Sequence, residues 1–155
     1  MTYEEVKVQI KILLEILYKK KNLLEQIYTI TENQNLILEA KENNITLFEQ
    51  MSKEKKIQIE EVNDLDKHFE HLYQKISYYI HENATEYKEL IKSLQEQIKI
   101  ITDMGVKIQV LEEKNSQLIQ MKFTHINREI KSMSKGKIQA VQAYKNNALL
   151  TKKRK

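Results

Sequence analysis

The residues best equipped for chemistry in this chain are His68 and His71, three apart on one helical face, with Asp64 one turn before His68. Two imidazoles and a carboxylate at that spacing are a plausible ligand set for a divalent metal. Their neighbours argue against it. Phe69 and Leu72 mark the buried side of the segment, while the histidines fall among Asp66, Lys67 and Glu70 on the charged flank. A di-metal helical core also needs a glutamate three residues before each ligand histidine. His68, His71, His81 and His125 are instead preceded at that distance by Leu65, His68, Tyr78 and Lys122. Surface histidines and no metal are expected.

Nucleophilic catalysis has less to work with. There is no cysteine and no glycine-flanked serine, and the two glycines, Gly105 and Gly136, lie too far apart to build a phosphate loop. The carboxylate pairs Glu4-Glu5, Glu60-Glu61 and Glu112-Glu113 stand beside lysines, the usual arrangement on a solvated helix face. The chain is therefore expected to be no enzyme, with no cofactor and no small-molecule substrate.

The elements that position these side chains follow from composition and periodicity. Among 155 residues there is no proline, and charged residues make up 31 %. Long exposed helices have that composition. The absence of cysteine fits a reducing compartment. The N-terminus lacks a basic leader followed by an apolar core, and the most apolar stretch, from Ile10 to Leu17, contains Lys11 and Glu15. It is well short of the ~20 residues that span a bilayer. Neither a secretory signal nor a transmembrane segment is expected, and the localisation is read as cytoplasmic.

Three apolar stripes recur at steps of three and four. The first passes through Tyr3, Val6, Ile10, Leu13, Leu17, Leu24, Ile27, Ile30 and Ile37, with Lys20 as a miss and Asn33-Gln34-Asn35 as an interruption. Asn44 is read as the cap of a second helix. That helix carries Phe48, Met51, Val62, Leu65, Phe69, Leu72, Ile76 and Tyr79, and Lys55 and Gln58 fall on its seam. A lysine there predicts a seam that is narrow or open rather than broken, with the stem covered and the ammonium in water. Asn83 or Thr85 is read as the next cap. The third stripe runs through Tyr87, Ile91, Leu94, Ile98, Ile101, Gly105, Ile108, Leu111, Asn115 and Leu118.

Gly105 is read as a point of close helix approach, with a mild hinge as the alternative, and Asn115 as lying where the third helix has outrun its partners in preference to a buried asparagine that fixes register. Most tyrosines are read as core edge with the hydroxyl in water. Stripes this narrow need partners, so the fold class predicted is all-α, an elongated antiparallel three-helix bundle or coiled coil. Residues 1–131 would form it, with helices at about 2–41, 44–82 and 85–131.

Residues 132–155 read as a separate basic, amphipathic C-terminal helical arm. The last acidic residue is Glu129, and eight of the chain's 26 lysines and arginines follow it. Within the arm Ile138, Val141, Tyr144 and Ala148 step at helical spacing beside Leu149 and Leu150, so this face is the candidate partner-binding site. The alternative is a coiled-coil adaptor whose tail, ending in Lys152, Lys153, Arg154 and Lys155, binds nucleic acid or anionic membrane. Tyr144 is the arm's one aromatic residue, so the base-stacking pattern of nucleic-acid binders is missing.

Several segments resemble the FlgN-like flagellar export chaperones and their FliT-like relatives. They are Leu23-Leu24-Glu25-Gln26-Ile27 leading to Thr31-Glu32-Asn33-Gln34, and Lys53-Glu54-Lys55-Lys56 followed by Asp64-Leu65-Asp66-Lys67-His68-Phe69-Glu70-His71-Leu72-Tyr73. Val110-Leu111-Glu112-Glu113-Lys114-Asn115 and Lys137-Ile138-Gln139-Ala140-Val141-Gln142-Ala143-Tyr144 continue the likeness. The resemblance implies a cytosolic helical chaperone that binds flagellar hook-associated or cap subunits and delivers them to an export-gate component of the flagellar type III apparatus. It also implies substrate contacts towards the C-terminal part, with a homodimer compatible with the pattern. The open seam near Lys55 and Gln58 would be a second apolar groove for a client helix.

Overall fold

The computed structural model describes residues 1–42 and 44–130, and is all α-helical: α1 spans Tyr3–Glu39, α2 Ile45–Glu82 and α3 Lys88–Ile130. Local chemistry sets two of the starts. Thr2 and Glu5 form a reciprocal capping box, the Glu5 amide donating to Thr2 Oγ1 at 3.2 Å and the Thr2 amide to Glu5 Oε2 at 2.9 Å. Asn44 caps α2 as its sequence position predicts, its Oδ1 accepting from the Leu47 amide at 3.1 Å.

The third start differs from expectation. The Asn83 side chain turns back and donates to the Tyr79 carbonyl, so it closes α2 and is not available to open α3. Turns through residues 83–87, held by Glu86 and Tyr87 amides donating to the Asn83 carbonyl, delay α3 until Lys88.

The described residues divide into two compact units, each drawing one segment from every helix. Unit 1 comprises Met1–Ile27 and Ile57–Val106. Its interior is apolar: Val6, Ile10, Leu13, Ile16 and Leu17 of α1 pack with Leu72, Ile76 and Ile80 of α2 and with Tyr87, Leu94 and Ile101. Lys20 meets Asp66 at 2.7 Å and Gln58 meets Gln26 at 3.0 Å, so α1 and α2 run antiparallel here. The Lys20 ion pair also explains the missing apolar residue in the first stripe. The chain trades one seam position for a charge at the margin.

Two readings change in unit 1. Tyr87 is interior, not core edge, with 1 % exposure and its ring stacked on Tyr3 at 5.1 Å. Gly105 is not a close approach, because a Cβ built there meets nothing within 4 Å.

Unit 2 comprises residues 28–56 with 107–130. Thr31 faces Glu112, Asn35 faces Asn115 and the Ala40 carbonyl faces Lys122, so α1 and α3 run parallel in this unit. Gln34 reaches both Ser52 and the Phe48 carbonyl of α2. A small apolar cluster of Leu38, Phe48 and Ile119, with Ile37, Ile45, Leu118 and Phe123 against it, completes the interior. The last turn of α1 has no basic residue of its own, and α3 supplies one: Lys122 Nζ donates to the Ala40 carbonyl at 3.2 Å. A cation there satisfies an orphan carbonyl and meets the negative end of the helix dipole.

Candidate functional site

The histidine-bearing face of α2 belongs to an open groove of unit 1 lined by Lys19, Gln26, Glu61, Asp64, Leu65 and His68. His68, His71 and Asp64 are all exposed on it. Among the described residues no three histidines or carboxylates converge to hold a metal. The groove offers charges of both signs over a leucine floor and is open to water.

The densest chemistry lies in unit 2. Lys55 is only 2 % exposed, and its ammonium pairs with Glu112 Oε1 and donates to Gln34 Oε1. Glu112 is 7 % exposed and also accepts from Thr31 Oγ1 at 3.3 Å. Gln34 Nε2 donates to Ser52 Oγ at 2.8 Å. Asn115, 1 % exposed, donates to the Thr31 carbonyl at 3.0 Å and accepts from Asn35 Nδ2 at 2.8 Å. One helix supplies a cation, another an anion, and the third the amides and hydroxyl that join them.

This network overturns three expectations. Lys55 does not leave the seam open with its ammonium in water, because Glu112 and Gln34 bring the charge inside. Glu112 is not on a solvated face, although Glu113 beside it is exposed. Asn115 has not outrun its partners, since both its amide groups are engaged by α1. The missed signal was a coincidence: Gln34-Asn35, Lys55 and Asn115 are polar intrusions into all three stripes, one per helix, at positions that antiparallel packing brings to one level.

Two further groups sit in shifted environments. Burial pushes the Tyr87 phenol above its usual value of 10.0, with Glu86, Tyr3 and Glu4 adding to the rise. Burial lowers Lys122 from 10.5. These shifts make the stability of the fold depend on pH. The predicted partner-binding residues Ile138, Val141, Tyr144, Ala148 and Leu149 lie outside the described residues.

No described helix is long and apolar enough to cross a membrane. Searches of curated proteins and of solved structures each found no match. The family model for the FlgN protein does match, over residues 1–152, which takes in all three helices and nearly the whole arm sequence. The chain thus belongs to the FlgN family, and is a non-enzymatic flagellar export chaperone for hook-associated proteins from a family of cytoplasmic chaperones.

Proposed function

We propose that this chaperone captures its hook-associated client through the arm, with Ile138, Val141, Tyr144, Ala148 and Leu149 as one apolar face, and presents the client to an export-gate component. The observation that carries the reading is that the family match extends through residue 152, across a stretch that combines this apolar spacing with five cations and no acid after Glu129. An amphipathic helix of this kind binds by laying its apolar side into a partner's groove, while its charges set orientation and solubility. A homodimer belongs to the same reading, since two arms on one client would raise capture through effective concentration. Sedimentation velocity at micromolar concentration checks that part.

The decisive experiment deletes 132–155 and, in the full-length chain, combines Val141→Asp with Tyr144→Ala. Capture of the hook-associated client should be lost in both proteins while helicity and melting stay close to those of the parent. Undiminished capture by the truncated chain would remove the arm from the site. A different result, loss that follows neutralisation of Lys152, Lys153, Arg154 and Lys155 and a steep salt dependence, would replace the apolar mechanism with an electrostatic one.

A further inference from the structure

All eight buried polar or charged residues among those described lie in unit 2, whereas thirteen of the seventeen buried apolar ones lie in unit 1. The two interiors therefore respond differently to opening. When an apolar core opens, water meets hydrocarbon and every exposed side chain raises the free energy. When the layer around Lys55 and Glu112 opens, both ions recover the hydration that burial took from them, which offsets much of their lost attraction. Glu112 Oε2 adds to this cost, because in the closed form it is buried with no hydrogen-bond donor from the protein; the amide oxygens Gln58 Oε1 and Gln97 Oε1 of unit 1 are in the same position but belong to neutral groups. Such an atom carries an unrecovered desolvation cost that opening removes.

The pattern of bonds also says which segment moves. Thr31–Glu112, Lys55–Glu112, Asn35–Asn115 and Asn115 to the Thr31 carbonyl all join α3 to α1 or α2. Separating α3 breaks these four together. By contrast, Gln34 bonds to Ser52, Lys55 and the Phe48 carbonyl, all of which tie α1 to α2 and survive such a separation. On the apolar side α3 gives this unit one fully buried residue, Ile119, with Leu118 and Phe123 packed beside it.

We propose that unit 2 opens as a unit of its own, the α3 segment 107–130 separating from α1 and α2 at the Lys55–Glu112 layer while the interior of unit 1 stays closed. The opened form uncovers the α1–α2 face that bears Leu38, Phe48, Gln34 and Lys55, an apolar strip ending in a cation. Low local stability is the physical condition for any such motion, and it follows from few buried apolar contacts.

Hydrogen exchange of the full-length chain, read by mass spectrometry, tests this directly. Amides in 107–130 should be the least protected among the helices, by about 100-fold relative to those in 6–17 and 72–80, with 28–42 and 44–56 between the two. Replacing the ion pair by Lys55→Met with Glu112→Leu should slow exchange in unit 2 about tenfold and leave unit 1 unchanged. Equal protection in the two units overturns the proposal, and so does a folded double variant whose unit 2 exchanges no more slowly than the parent. If the double variant does not fold, the profile of the parent chain decides alone.

Discussion

Ile10, Leu13 and Ile76 close the interior of unit 1 with no fully buried polar side chain among its residues, while Lys55, Glu112 and Asn115 occupy the interior of unit 2. The same three helices supply both. Apolar burial is strong but non-directional, about 1.5–3 kcal/mol for each large aliphatic side chain, and it would tolerate a helix slipped by a turn. A hydrogen-bonded layer contributes less net stability and specifies more, because Asn35 meets Asn115 and Thr31 meets Glu112 in only one register. Buried polar residues fix alignment in coiled coils in the same manner. Unit 1 thus supplies adhesion, and unit 2 supplies alignment at the expense of local stability.

The sharpest way to break this contrast is Glu112→Ala, which leaves the Lys55 ammonium buried without its anion. A loss of about 3–5 kcal/mol is expected by urea denaturation followed by circular dichroism. A loss below about 1 kcal/mol would mean that Lys55 reaches water easily, and the polar interior would then be no interior. Ile76→Ala tests the other side. It removes a fully buried side chain from unit 1 and should cost about 3 kcal/mol, with hydrogen exchange accelerated chiefly in 6–17 and 72–80.

Gly105→Ala should act in the opposite direction, raising stability by about 1 kcal/mol, since the helix gains a better former and the new methyl meets no neighbour. A drop in melting temperature would restore the close approach that the stripe suggested. The smallest effect is expected from alkali. The folded state holds the Tyr87 proton above the unfolded pKa near 10.0, so its contribution is complete below that value and is lost as pH rises through the folded one. Lys122 works against this trend, because its folded pKa lies below 10.5 and its contribution is present above that value and fades as pH falls. Tyr87→Phe separates the two: between pH 9 and 11 the variant should lose less stability than the parent, and an identical slope would place Tyr87 nearer water than its burial implies.

Much of this was legible along the chain. Asn44 before an apolar-periodic run is a cap wherever the helices go, since its bond to the Leu47 amide is local. The stripes through Val6, Ile10 and Leu13 and through Leu72 and Ile76 required only helical periodicity to be recognised as core. Lys55 and Asn115 were legible as seam positions but not as interior ones. Whether a polar seam residue is solvated or buried depends on what stands opposite, and Glu112 and Asn35 are 57 and 80 residues away in the chain. Gly105 failed for the same reason, because an empty space beside a helix leaves no mark on the helix's own sequence.

By itself the sequence determined the all-α class, the three stripes, two of the three helix starts, and a family match that carries the chaperone function. These rest on local hydrogen bonds, on helical periodicity and on residue order, all of which are properties of one segment at a time. Only the tertiary structure decided that the intrusions into the stripes meet as one ion-paired layer and that unit 2 rather than unit 1 holds it. A charge becomes an interior charge when a distant segment excludes its water and supplies its counter-ion, and that is a fact about packing, which no single segment contains.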